Sequence, residues 1–150
     1  MILALLAAAQ LAAAPAVGPR QDSLTVSDAS RSKSVALVAT PDGPILRADR
    51  LKPVVPITVS HLMGDRWMLI VNGTGIELQQ EVRLAKVGDQ HFQLAAAPQV
   101  RDGALYVPLQ LVVEIIPRVA NNLVWDPERF ELRAFSSVTR ARDALATRQA

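Results

Sequence analysis

The chain has 150 residues, half of them hydrophobic and a fifth charged, which is enough for one domain with a filled core and excludes a disordered polyampholyte. Sixteen basic against fourteen acidic residues leave a net charge of only +2, and aromatics make up 4%, so neither a basic patch nor a base-stacking surface for nucleic acid is expected. There is no cysteine, which excludes disulfides and thiolate metal sites.

The first nineteen residues carry no charged side chain, and "MILALLAAAQLAAAPA" runs from an apolar block into small residues. Ala14-Pro15-Ala16 is an A-x-A cleavage pattern, so residues 1–16 read as a signal peptide and export would leave Val17 first. Its n-region lacks Lys and Arg, leaving the α-amino group as the positive charge. The block is shorter than the roughly 20 apolar residues of a membrane span; contact with a membrane is expected only through this segment, if it stays uncleaved. Residues 17–33, "VGPRQDSLTVSDASRSK", are polar, Ser-rich and aperiodic and read as a linker.

A domain is expected over 34–135. "SVALVA" (34–39) is a short strand closed by the turn "TPDGP". "ILRADRL" (45–51) is one or two helical turns or an edge segment. "VVPITVSHL" (54–62) is β-branched, and Pro56 assigns it to an edge or a bulge. "RWMLIV" (66–71) and "IELQQ" (76–80) flank "NGTG", a strong hairpin signal because both turn positions favour φ > 0. "EVRLAKV" (81–87) alternates, and Gly88-Asp89 turns it into "QHFQLA" (90–95), with Phe92 and Leu94 on one face. Asp102-Gly103 is a tight turn before the strand "ALYV". Pro108 then suits the first turn of a helix, where its missing N–H costs nothing. "LQLVVEII" (109–116) is apolar except at Gln110 and Glu114, four apart on one wet face, and Pro117 is expected to stop it. "NNLVWD" (121–126) and "FELRAF" (130–135) are the closing strands, and 136–150 is a linker. These elements predict an α+β fold: a small antiparallel sheet of hairpins with one buried helix, about 108–116, packed on it.

No catalytic constellation stands out. His61 and His91 are the only histidines. With Asp65 or Asp89 they fall short of a supported zinc site, and they read as surface histidines beside turns. No G-x-S-x-G elbow or S-x-x-K set is present, and "NGTG" is too short for a phosphate loop. Asp126, Glu128 and Glu131 read as solvating an edge. Trp67, Tyr106 and Trp125 could stack a sugar, but each sits in an apolar strand where aromatics build core. Expected catalytic, cofactor and metal residues are therefore none.

"DGALYVPLQLVVEII…LVWDPERFELRAF" resembles the copper amine oxidase N-terminal-like domain, a stalk module found on secreted bacterial proteins, including N-acetylmuramoyl-L-alanine amidases. The match covers about residues 64–135. Asp102, Gly103, Val107, Pro108, Leu109, Glu114, Trp125 and Asp126 fall on the motif, while "PRVANN" stands where the family has a helix-ending glycine. The resemblance implies a folding signature. It implies no copper, because the oxidase reaction belongs to a different domain. The expected function is a non-catalytic, exported cell-envelope module, periplasmic or extracellular, that positions or tethers at the cell wall, with weak affinity for peptidoglycan. The alternative expectation is the non-catalytic N-terminal part of a zinc-dependent amidase whose catalytic domain lies beyond Ala150. A third is a small subunit that joins a partner through an exposed sheet edge.

Overall fold

The computed structural model describes residues 22–52 and 54–135. The expected signal peptide and C-terminal linker lie outside these residues. Among these described residues, twelve strands form three sheets, with one 3₁₀ turn and one short helix. The architecture is therefore mostly β and multi-sheet, and the α+β expectation is corrected. Two things caused the error. Segments read as linker are strands, and the hairpins expected in one sheet are divided among three.

β1 (Ser23–Ser27) and β2 (Ser32–Ala36) form an antiparallel pair. Both begin within the stretch expected to be linker. "SLTVS" buries only Leu24 and Val26, so its alternation is two residues deep and is hidden among serines. What makes it a strand is tertiary. β1 pairs in parallel with β12 (Glu131–Ala134), Val26 opposite Leu132. β11 (Leu123–Asp126) completes this sheet in the order β11-β12-β1-β2.

β3 (Ile45–Arg47) is followed by the 3₁₀ turn Ala48–Leu51, which buries Ala48 and Leu51. β3 lies beside β10 (Ala104–Pro108), and β9 (Gln99–Arg101) lies on the other side of β10. Asp102 and Gly103 connect β9 and β10 with φ of 52° and 78°, a type I′ turn geometry.

The five-stranded sheet is a meander of β4 (Ile57–His61), β5 (Arg66–Val71), β6 (Thr74–Gln79), β7 (Leu84–Val87) and β8 (Gln90–Gln93). Asn72 and Gly73 form the expected hairpin turn, with φ of 50° and 87°. β4 is an edge strand and Pro56 immediately precedes it, so the donor that Pro56 lacks falls at the end of the ladder, where its carbonyl still accepts from the Asn72 N–H at 3.0 Å. β7 is shorter than the alternation suggested. Ala85 is buried and Val87 packs on the core, while Val82 and Leu84 face outward.

The helix α1 covers 109–119, wound as a π turn over Leu111–Ile115 and as α over Ile116–Val119. Pro108 is the last residue of β10, paired with Ile45, rather than the first of the helix. The next N–H, that of Leu109, donates to the Pro44 carbonyl at 2.9 Å. Pro117 does not end the helix either. The Ile116 N–H donates to the Leu111 carbonyl five residues back. This wider turn accommodates a proline that lacks its own N–H and would crowd the carbonyl four residues before it. Leu111, Val112, Ile115 and Ile116 are buried and Glu114 is exposed. A single core runs through all three sheets, from Leu24 and Leu46 to Leu69, Val112 and Leu132.

Candidate functional site

A hollow of about 490 Å³ opens where the parallel β1–β12 pair meets the segment before β4. Its walls are the β1–β2 turn (Ser27, Asp28, Ser30), Asn122, and Arg133 at the end of β12. Val54, Pro56, Ala134 and Phe135 supply apolar surface. It is thus a concave patch with an apolar floor and a few convergent polar groups, the usual composition of a small-ligand site.

Each wall has a local cause. Asp28 accepts from the backbone N–H of Ser30 and of Arg31, both at 2.8 Å, and from the Ser30 hydroxyl at 3.1 Å. This is an Asx turn, for which Asp is well suited. The Ser30 N–H, then that of Arg31, holds the Asp28 carboxyl below its ordinary range. Across the parallel pair, Ser27 and Arg133 share a register position. The Ser27 hydroxyl donates to Glu131 at 2.7 Å, and the other oxygen of Glu131 is 3.4 Å from Arg133 Nε. Arg133 is therefore aimed by a carboxylate while its side chain remains 45% exposed. On the opposite wall, Asn122 accepts from Asn72 Nδ2 at 2.9 Å, which ties the β5–β6 turn to the hollow.

This arrangement offers the outward N–H groups of one guanidinium above an apolar floor, with the Ser27 and Ser30 hydroxyls already donating to Glu131 and Asp28 and left as acceptors. Its chemistry suits a small polar molecule that sets an anionic group on Arg133, away from the Asp28 carboxylate. It is not built as a nucleophile and base. The carboxylate beside Ser27 is already engaged with Arg133, and no imidazole lines the hollow.

The residues singled out by sequence are dispersed. His61 lies on β4 and His91 on β8, the two edges of the five-stranded sheet. Four interstrand steps of about 4.8 Å separate them, far beyond what one metal ion spans. His61 stacks on Trp67, ring centroids 4.5 Å apart, and its Nε2 lies 2.6 Å from the Gly64 carbonyl. Asp65 accepts from Gln79 Nε2 at 3.2 Å, and Asp89 sits in the exposed turn beside His91. Among the described residues, no three His, Asp or Glu side chains are grouped closely enough to hold a metal.

Trp67, Tyr106 and Trp125 lie on β5, β10 and β11, in three different sheets. Trp67 is core and donates to Gln80 at 3.3 Å. Tyr106 carries Arg101 over its ring at 5.6 Å. Trp125 meets Phe130 edge-on at 5.1 Å. Phe130 adopts φ of 51°, uncommon for an aromatic residue, and packs on the core. Asp126 accepts from the N–H groups of Glu128 and Arg129 at 3.1 and 3.3 Å, shaping the β11–β12 turn. The motif residues have structural uses: Asp102 and Gly103 turn the chain, Val107 is buried, Pro108 ends β10, Leu109 packs on the core and Glu114 faces solvent.

Sequence reading missed the hollow because its walls come from distant parts of the chain. The available signal was "SDASR", an Asx-turn pattern inside the Ser-rich stretch. Among the described residues, no helix is long and apolar enough to cross a membrane. Comparison of the chain with protein-family models, curated proteins and solved structures finds no match.

Proposed function

We propose that this protein is an exported, non-catalytic module of the cell envelope that holds its load near the wall by weak contact with peptidoglycan. The observation that carries the reading is the hollow at the end of β1–β12. Its aimed guanidinium, hydroxyls and apolar floor suit the carboxylates, amides and methyl groups of a peptidoglycan stem peptide. The dispersal of the imidazoles and aromatic rings over separate sheets and edges supports a binding role over hydrolysis. The resemblance of "DGALYVPL" and "LVWD" to stalk domains of secreted wall enzymes, read from the sequence alone, points to the same setting. Export rests on the charge-free start and on Ala14-Pro15-Ala16.

The test is titration of the purified protein with a muropeptide, followed by amide chemical shifts, with and without a chelator. Shifts should concentrate at Ser27–Ser30, Asn122 and Arg133–Phe135, persist on chelation, and weaken on Arg133→Ala with the fold intact. Release of stem peptide that stops on chelation, or no shift at any muropeptide concentration, would overturn the reading, and shifts confined to Trp67 and Trp125 would take the contact away from the hollow. Protein recovered from the envelope should begin at Val17; recovery of Met1 on a cytoplasmic protein would remove the export step.

A further inference from the structure

The edges of the three sheets are not equally protected. Unpaired edges invite another strand, and charges, prolines or covering groups normally discourage it. β2 carries Lys33, β3 carries Arg47 and is bridged by Val38, β9 carries Arg101, and β11 ends in Asp126. β8 is closed by a side chain: Gln110 donates to the Gln93 carbonyl at 3.0 Å and accepts from the Ala95 N–H at 2.7 Å. β4 differs. Over Ile57–His61 it has no proline and no acidic or basic residue except His61, and three of its five residues are β-branched.

The phase of the β4–β5 ladder shows which backbone groups point outward. The Leu62 N–H donates to the Arg66 carbonyl at 2.8 Å and the Asn72 N–H to the Pro56 carbonyl at 3.0 Å. Bonding toward β5 therefore falls at Pro56, Thr58, Ser60 and Leu62. The N–H and C=O groups of Ile57, Val59 and His61 face away from the sheet. Val59 is central to that row, so an antiparallel copy of the same strand would overlap most fully about Val59.

That register brings two further features together. It sets Leu62 and Met63 of one copy beside Pro56 and Val55 of the other. Met63 is 86% exposed, the most exposed large apolar residue among those described. Val55 and Pro56 line an open hollow of about 520 Å³, with Ile57, Thr58 and Ile70 also on its wall. Ile70 is itself 40% exposed. The charged residue of this hollow is Lys52, and the turn that would enter it carries Asp65. Knob, hollow and charge are thus related by the same two-fold operation that pairs the strands, as an isologous interface requires.

We propose that this protein forms a two-fold dimer in which β4 pairs antiparallel with β4 of a second copy, centred on Val59, and Met63 of each copy seats against the exposed Pro56 at the hollow of the other. The two five-stranded sheets then join as one continuous sheet.

Sedimentation equilibrium of the full chain over a concentration series tests this, with two variants. Met63→Asp changes a side chain that is 86% exposed in the monomer and should weaken the dimer by about tenfold or more, with an unchanged circular dichroism spectrum. Val59→Cys uses the cysteine-free background. Opposed hydrogen-bonded residues lie about 5.5 Å apart, within the Cα separation of a disulfide. Mild oxidation should therefore link Val59→Cys into a covalent dimer much faster than Val124→Cys, an exposed control on β11. A monomer at every concentration overturns the proposal and leaves the β4 edge to a peptide of another protein. A dimer that is insensitive to Met63→Asp, or that crosslinks equally at both cysteine positions, places the interface elsewhere and also overturns it.

Discussion

Gln110 lies in the first turn of the helix, yet its carboxamide acts as a piece of β-strand. It satisfies the Gln93 carbonyl and the Ala95 N–H at the edge of β8, in the way a neighbouring strand would. Gln110→Ala should lower stability by about 1 kcal/mol, the usual worth of hydrogen bonds that water can partly replace. The denaturant midpoint measures that loss, and the Ala95 amide should exchange faster with solvent. Unchanged exchange at Ala95 would show that the bond does not protect the edge. Asp28 works in a similarly local way. Its carboxyl is held low by the N–H groups of Ser30 and Arg31. A depressed folded pKa means stability that is present above the unfolded value and lost as pH falls through the folded one. The β1–β2 turn should therefore hold at neutral pH and loosen only below about pH 3.9, the ordinary aspartate value. Amide shifts of Ser30 and Arg31 report it, and Asp28→Asn should abolish the titration. A midpoint above that value would contradict the Asx-turn account.

At the scale of elements, α1 is held by burial more than by its own hydrogen bonds. It is short, carries a π turn and contains Pro117, each of which weakens an isolated helix. Leu111, Val112, Ile115 and Ile116 anchor it to the core. Val112→Asp should destabilise by more than about 4 kcal/mol, because an unpaired charge would enter a closed site. Val113→Asp, at a half-buried neighbour, should be much milder. Equal midpoints for the two would refute this orientation of the helix. The apolar face of α1 and the Asn72-Gly73 and Asp102-Gly103 turns are legible in the sequence because their causes lie within a few residues. The π turn is not. A proline ordinarily reads as a stop, and whether a helix widens to pass it depends on what its flanks pack against. Pro108 is misread for a related reason: its partner Ile45 is 63 residues away.

For the whole molecule, the least legible contact organises the most. β1 closes against β12 in parallel across more than a hundred residues, and the candidate hollow exists only because of that closure. Ser27–Ser30, Val54, Pro56, Asn122 and Arg133 share no spacing in sequence. Leu24 and Val26 have no solvent exposure, and β1 lies between β12 and β2. Removing residues 1–27 would uncover Leu132 and Val35 and split the four-stranded sheet into separate pieces. Removing residues 1–16, the expected signal peptide, leaves β1 whole. The two truncations should therefore differ sharply. A chain starting at Val17 should unfold at the same denaturant concentration as the full chain. One starting at Asp28 should lose cooperative unfolding or fall by several kcal/mol, given about 2–5 kcal/mol for deletion of a buried Leu side chain alone. Equal stability of the two would mean that an inner strand of this sheet is dispensable, and the hollow with it.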